Sequence, residues 1–164
     1  MGVRVGLGFD VHPFDAARPL VLGGVVLPDG PGLGGHSDAD AVAHAVADAL
    51  LAAAGLPDLG TRYPASDPAH AGAASMGFVA AIATELAAAG WTVANVSVVI
   101  AAEVPRLAPH VAAIASGVAA ALDPLRDPAD AEVAVSVTPK RGEGLGAVGR
   151  SEGIATWAVA LLQR

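Results

Sequence analysis

The chain has 164 residues, a formal net charge of −7, and 54% hydrophobic but only 15% charged residues. This length is that of one ordinary domain, so we predict a single domain over residues 1–164. The negative charge argues against a nucleic-acid partner, which needs a basic patch, and no apolar run approaches the ~20 residues of a membrane-spanning helix. Since the chain has no cysteine, disulfides and thiolate metal sites are excluded.

The first half of the chain mixes short strands with one long helix. An apolar, glycine-punctuated run over residues 3–11 predicts a strand, and residues 19–28 predict two short strands joined by Gly23 and Gly24. A glycine-rich loop over residues 28–35 then leads to a helix that begins with Ser37 or Asp38 as its cap and ends at Gly55. Residues 56–68 are rich in turn formers and predict no regular element.

The second half alternates helices and strands. We predict a helix over residues 75–90, a β-branched strand over 91–102, a helix over 110–122 and a strand over 131–137. Residues 153–162 are ambiguous by periodicity, and their β-branched residues favour a strand. This order predicts an α/β fold of the α+β type, with one sheet and helices packed on one face.

The low charge density bears on oligomeric state, and the first residues bear on cellular location. Weakly charged, alanine-rich surface suggests that part of it is covered by other subunits, so we expect an oligomer. The first residues show no hydrophobic secretory core, which together with the absence of a spanning segment predicts a cytoplasmic protein without a membrane partner.

Three side chains predict a metal site. Asp10 and His12 lie two apart on a strand and therefore leave the same face, and His44 lies two turns into the first helix. One carboxylate and two imidazoles with an open fourth position are typical of catalytic zinc. Asp40 or Asp48, four residues either side of His44, would accept its other ring N–H. The alternative is that all are polar side chains on solvated faces.

The residues before the first helix suggest an anion site. His36 and Ser37 stand where a helix N-terminus would offer unpaired N–H groups to a phosphate. The alternative is that Ser37 is only the N-cap of the helix.

Four segments taken in order resemble the 2-C-methyl-D-erythritol 2,4-cyclodiphosphate synthase family. They are GLGFDVHPF, GGHSDADAVAHAVADALLAAAGLPDLG, PRLAPH and LGAVGRSEGIA, and the likeness runs over essentially the whole chain. The resemblance implies a homotrimer with active sites between adjacent subunits. It also implies a four-stranded mixed sheet backed by helices in each subunit.

The resemblance also assigns the metal and phosphate ligands. It implies that Asp10, His12 and His44 bind Zn²⁺, that His36 and Ser37 bind phosphate, and that His36 is a catalytic residue that stabilises the transition state. On the substrate side it implies a larger set: Asp58 and Gly60 for the erythritol part, Ala102, Pro105 and Arg106 within residues 102–108 for cytidine, Glu143 for a second ion (Mg²⁺ or Mn²⁺) on the diphosphate, and Arg150 with Glu152 near the three-fold axis.

The sequence departs from the family pattern at a few positions. Ala65 replaces an Asp, Ala147 replaces a bulky residue, and Lys140 and Arg141 stand where the family has two threonines, unless a small gap brings Thr138 to that position. We expect Lys140 and Arg141 to bind the diphosphate by charge, with Arg141 as a catalytic residue. The alternative is that both are solvated loop cations.

The implied reaction closes a ring. The 2-phosphate of 4-diphosphocytidyl-2-C-methyl-D-erythritol 2-phosphate attacks the β-phosphorus and expels CMP, which makes the enzyme a phosphorus–oxygen lyase of the non-mevalonate route to isoprenoids. Two alternatives remain at this point: a catalytically impaired homologue that only binds a cytidine diphosphate ligand, and a zinc-dependent phosphoesterase.

Overall fold

The computed structural model describes residues 2–64, 66–68 and 72–164; Ala65 lies outside these ranges. Within them, the longer strands and helices follow one another in the order that the sequence predicts. The strands are β1 (Val3–Asp15), β2 (Leu20–Leu22), β3 (Val25–Leu27), β4 (Gly32–Leu33), β5 (Thr92–Ala101), β6 (Val135–Lys140) and β7 (Gly153–Gln163). The helices are α1 (Ala41–Ala54), α2 (Leu59–Arg62), α3 (Ser75–Ala88), α4 (Val111–Ala121) and α5 (Gly146–Gly149), with 3₁₀ turns at Ala108–His110 and Asp123–Leu125.

The main sheet has five strands in the order β4-β1-β7-β5-β6, so the implied count of four is wrong. The additional strand, β4, is a two-residue segment of the glycine-rich loop that pairs with Phe14 and Asp15 at the end of β1. Only β5 and β6 run parallel; the other pairs are antiparallel. The fold is therefore a mixed α+β arrangement, as predicted.

Strand β6 ends later than the sequence predicts. It continues to Lys140 and includes Pro139, which pairs with Ile100. A proline lacks the N–H that an inner strand needs, but β6 is an edge strand and tolerates it. Two four-residue helices, α2 and α5, also lie in stretches that the sequence predicts as loops.

Helix α1 lies directly on β1 because glycines leave room for it. A Cβ at Gly6 would come within 2.0 Å of the Ala49 carbonyl oxygen, and a Cβ at Gly8 within 1.9 Å of the Ala45 carbonyl oxygen. Gly6 and Gly8 share their face of the strand with Asp10, since side chains alternate. The close contact therefore fixes the distance of α1, which carries His44, from the strand that carries Asp10 and His12.

Helix α1 begins later than predicted. Its N-cap is Asp40, not Ser37 or Asp38, and its first helical residue is Ala41. The end is as predicted, because Gly55 adopts the left-handed conformation (φ 73°) and closes the helix.

Asp40 also ties α1 to the hairpin of β2 and β3. Its carboxylate accepts from the N–H groups of Gly23 (2.9 Å), Gly24 (2.7 Å) and Ala43 (3.0 Å). The two glycines turn with positive φ, as the predicted hairpin requires. Complete burial raises the pKa of Asp40 to about 6, although the three N–H groups oppose the rise.

The opposite face of the sheet is apolar and exposed. Helix α1 covers one face of β1 and β7, while seven large side chains on the other face are 39–65% exposed: Val3, Val5, Leu7, Phe9, Val11, Trp157 and Val159. We call this set the open face. An apolar patch of this extent is typical of an interaction surface. Among the described residues, no helix has the length and apolarity to span a membrane.

Candidate metal site and adjoining cavities

Strand β1 and helix α1 bring the three predicted metal ligands together. Oδ2 of Asp10 lies 2.8 Å from Nε2 of His12 and 3.0 Å from Nδ1 of His44, and the two nitrogens are 3.2 Å apart. The three residues are half-buried and form a group that can hold a metal ion. Residues 32 and 34 positions apart in the chain thus meet where α1 crosses the strand.

The other ring nitrogens orient both imidazoles. Nδ1–H of His12 donates to the carbonyl of Gly34 at 2.8 Å, which leaves the lone pair of the neutral ring on Nε2. Nε2 of His44 lies 2.9 Å from Oγ of Ser75 and 3.1 Å from Oγ of Ser37. With its proton on Nε2, His44 points the Nδ1 lone pair into the cluster.

The prediction that Asp40 or Asp48 accepts the second ring N–H of His44 is wrong. Asp40 is occupied by backbone N–H groups at the start of α1, and Asp48 accepts from the N–H of Leu59 at 2.7 Å. Ser75 is the residue that contacts Nε2 of His44 instead. Sequence reasoning missed Ser75 because this residue begins another helix, 31 residues after His44. No spacing rule links two residues so far apart.

Asp38 completes this set of contacts. Its carboxylate accepts from the hydroxyl and from the N–H of Ser75, the latter at 3.1 Å. Because the Ser75 hydroxyl donates to Asp38, its oxygen is free to accept from Nε2–H of His44. The chain of bonds favours the tautomer of His44 that metal binding requires.

Asp10 and His12 shift each other's pKa values toward the charged forms. Burial alone would raise the pKa of the Asp10 carboxyl, but the hydrogen bonds and charges of His12 and His44 outweigh it and hold that pKa well below its ordinary value. Burial would likewise lower the pKa of His12, but Asp10 raises it above the ordinary value. A carboxylate thus stays ionised among the imidazoles.

The geometry fits a tetrahedral metal ion. Ligand atoms at ~2.0–2.2 Å from such an ion lie roughly 3.3–3.6 Å from one another. The observed separations of 2.8–3.2 Å need only a few tenths of an ångström of expansion. The donor set of one carboxylate oxygen and two imidazole nitrogens leaves a fourth position open.

A cavity of about 280 Å³ adjoins the cluster and contains several predicted site residues. Its lining includes the three candidate metal ligands together with His36, Ser37 and Gly60. Arg18 donates to the carbonyls of Gly35 and Ser37 and so holds this loop. Asp58 caps α2 by accepting from the N–H of Thr61 at 2.7 Å.

The anion site does not take the form that the sequence predicts. His36 and Ser37 precede α1 by several residues, and the Asp40 carboxylate accepts from an N–H of its first turn. Ser37 is not the N-cap either. Its buried hydroxyl instead contacts His44 and Ser75. The exposed His36 remains at the wall of the metal-side cavity.

A second cavity, of about 540 Å³, contains the predicted nucleotide-side residues. It is lined by residues 102–108 and by Pro139, Lys140 and Arg141, so that Ala102, Pro105 and Arg106 lie together with the two loop cations. The two cavities share no lining residue. Within the described residues of one chain, the metal side and the nucleotide side are therefore separate.

The remaining predicted residues lie outside both cavities. Glu143 is exposed on the loop after β6, with a positive φ of 51°, and Arg150 is exposed and pairs with Glu152 at 2.6 Å. Ala147 lines a further cavity of about 250 Å³ with Val11 at the end of the open face.

Comparison with known proteins gives a consistent result. The model of the YgbB family matches residues 3–163. A relative from Bordetella petrii, named 2-C-methyl-D-erythritol 2,4-cyclodiphosphate synthase, is 45% identical over 161 residues, which cover 98% of this chain and 96% of the relative.

Solved structures agree with the sequence relatives. Bifunctional IspDF from Campylobacter jejuni superposes with a TM-score of 0.88 and 35% identity over 98% of this chain, which spans 42% of that protein. The CDP complex of IspF from Plasmodium falciparum superposes with a TM-score of 0.80 and 28% identity over 98% of this chain and 96% of its own.

Proposed function

The chain belongs to the YgbB family, and on that premise we propose that it forms 2-C-methyl-D-erythritol 2,4-cyclodiphosphate and CMP in isoprenoid biosynthesis. Its substrate is 4-diphosphocytidyl-2-C-methyl-D-erythritol 2-phosphate. The observation that carries the proposal is the convergence of Asp10, His12 and His44 at a cavity beside His36 and Ser37.

The reaction needs positioning more than a protein nucleophile. An oxygen of the 2-phosphate forms a bond to the β-phosphorus, the bond from that phosphorus to the CMP oxygen breaks, and no water is consumed. The enzyme is therefore a phosphorus–oxygen lyase. Because the attacking group is already on the substrate, the protein accelerates the step by bending the chain and by balancing charge.

The metal-side residues hold the phosphates. Asp10, His12 and His44 would hold Zn²⁺, which would supply Lewis-acid chemistry toward a phosphate oxygen. His36 donates a hydrogen bond to the charge that builds up on the phosphates, and Ser37 binds phosphate while it holds the ring of His44 in place.

The substrate-side residues bind the rest of the molecule. Asp58 and Gly60 contact the erythritol part, and the loop over residues 102–108 binds cytidine through Ala102, Pro105 and Arg106. Lys140 and Arg141 bind the diphosphate, Glu143 would hold a second ion, Mg²⁺ or Mn²⁺, and Arg150 contributes to substrate binding from the turn after α5. The larger cavity supports this arrangement because its walls carry three cations.

We further propose that the domain, residues 1–164, works as a homotrimer. The separation of the two cavities supports a site completed by a neighbouring copy, and the open face supplies an apolar surface for contact. Light scattering of the parent should give a trimer. Leu7→Asp, on the open face, should give a folded monomer without activity, and an active monomer would contradict the shared site. The cytoplasmic location stays a prediction.

Product analysis tests the reaction. The parent, with Zn²⁺ and Mg²⁺, should convert the substrate to equimolar CMP and a cyclic diphosphate, identified by mass. An open-chain product heavier by one water would instead indicate a phosphoesterase. Tight CDP binding without CMP release would indicate a protein that only binds the ligand.

A further inference from the structure

Arg141 is held by a residue that the sequence does not single out. Nε–H of Arg141 donates to Oε1 of Glu103 at 3.1 Å, and Nη2 contacts the same oxygen. The other oxygen, Oε2, accepts from the N–H of Gly142 at 3.1 Å. The Glu103 side chain is only 13% exposed, whereas that of Arg141 is 65% exposed. The carboxylate is thus the fixed partner.

The contact joins two loops of the larger cavity. Strands β5 and β6 are parallel neighbours, so the loops that follow them leave the same edge of the sheet. Glu103 lies just after β5, and Arg141 just after β6. A further bond from the N–H of Ala102 to the carbonyl of Lys140, at 2.9 Å, runs beside the ion pair. The position of each wall therefore depends on the other.

The ion pair leaves part of the guanidinium available. Arg141 has five N–H donors in a rigid plane, and Glu103 accepts those on one edge. Nη1 makes no hydrogen bond to any residue that the structure describes. A guanidinium held along one edge can offer the remaining donors to phosphate oxygens without losing further side-chain freedom.

The structure assigns to Glu103 the role of a positioning residue, which holds Arg141 and the loop after β6 so that they bind the diphosphate of a cytidine nucleotide. The assignment rests on the proposed function. It explains why an acidic side chain lines a cavity for an anionic ligand, since Arg141 balances its charge. Glu103 acts through Arg141 and need not touch the ligand.

Calorimetric titration with CDP and Mg²⁺ tests the assignment on the zinc-loaded protein. Glu103→Ala should weaken CDP binding about tenfold, because Arg141 and the loop lose their common anchor. Glu103→Gln should have an intermediate effect, since one amide oxygen can still accept from Gly142. Asp123→Ala is the matched control, because it removes another surface ion pair, with Arg126 at 2.9 Å, and should leave CDP affinity unchanged.

A double-mutant cycle shows whether Glu103 acts through Arg141. In the Arg141→Thr background, Glu103→Ala should weaken CDP binding less than about threefold, because the side chain that it positions is gone. Zinc content and the melting temperature should stay near those of the parent. If Glu103→Ala lowers either, the cycle is measured with Glu103→Gln.

Two results would overturn the assignment while leaving the proposed function intact. The first is a parent that binds CDP and forms product while Glu103→Ala stays within twofold of it. The second is an equal loss from Glu103→Ala in both backgrounds, which would mean that Glu103 only stabilises the loop. A parent that neither binds CDP nor forms product would overturn the proposed function and this assignment together.

Discussion

The metal side and the nucleotide side of the candidate site are built in different ways. On the metal side, Asp10 and His12 project from β1, which pairs with β7 over most of its length, and His44 projects from a helix pressed against β1. On the nucleotide side, the exposed Lys140 ends the edge strand β6, and Arg141 follows on an exposed loop, where a single carboxylate holds it.

This difference shows how many contacts a substitution would disturb on each side. The metal-side residues are fixed by backbone packing and by hydrogen bonds at both nitrogens of each ring, so a substitution there disturbs several contacts at once. The nucleotide side depends on side chains of an exposed loop. There Lys140 and Arg141 stand, in an ungapped comparison, where the family pattern has threonines, and Glu103 contacts Arg141 and Gly142. Four experiments sharpen or break this contrast.

The largest effect is expected at the metal side. His44→Ala removes one of three ligands, so metal content should fall to near zero and kcat by at least about a thousandfold. The fold should survive, because the ring is half-buried at the surface of the cavity. Metal analysis and circular dichroism measure both results. His110→Ala, at a histidine outside the cluster, should retain the metal, and full metal occupancy in His44→Ala would refute the ligand set.

The next effect concerns the close contact between β1 and α1 beside the candidate metal site. Gly8→Ala would place a Cβ 1.9 Å from the Ala45 carbonyl oxygen, so α1 must move away from β1. We expect a loss of about 3 kcal/mol in the free energy of unfolding, typical of severe overpacking, and weaker metal binding. Urea unfolding and chelator competition measure these. Gly77→Ala is the control, because its added Cβ meets no atom within 4 Å.

A pH effect is expected from Asp40. Its pKa is about 6 in the folded chain and 3.8 as the ordinary value, so the folded state binds the proton more tightly. Its contribution to stability is therefore complete below pH ~4 and is lost as the pH rises through 6, by at most about 3 kcal/mol.

Asp40→Asn removes this titration. In urea unfolding of the metal-free proteins, the free energy of unfolding of the parent minus that of the variant should be more positive at pH 4.5 than at pH 7. A parent-minus-variant value that rises with pH would contradict a raised pKa of Asp40, and a constant one would mean that its pKa is unshifted.

The smallest effect is expected at the nucleotide side. Arg141→Ala should lower kcat/KM about 10- to 100-fold, as expected for the loss of one charge-assisted contact to phosphate. Arg141→Thr should retain more activity, because it restores the residue of the family pattern. If both variants stay within about twofold of the parent, Arg141 is a solvated loop cation.

The sequence predicted what depends on local pattern. The strand β7, the end of α1 at Gly55, the hairpin at Gly23 and Gly24, and the three candidate metal ligands followed from β-branched composition, turn chemistry and ligand type. It could not predict β4, because two residues of a glycine-rich loop carry no strand signal and pair only once β1 is present.

The long-range contacts that orient the site residues could not be predicted from the sequence pattern. Ser75 reaches His44 only because α3 starts beside the cluster, and Glu103 meets Arg141 only because β5 and β6 are neighbours. The sequence also placed the cap of α1 too early. Ser37 and Asp38 are good capping residues, but both are engaged with Ser75, and Asp40 caps the helix.

The separate cavities have a consequence for mixtures of subunits. If each catalytic centre joins the metal side of one copy to the nucleotide side of the next, a His44→Ala chain and an Arg141→Ala chain carry complementary defects. In randomly reassembled trimers at equal proportions, about a quarter of the junctions would unite two intact halves. Two impaired proteins, unfolded together and refolded, would then show higher activity than either has alone.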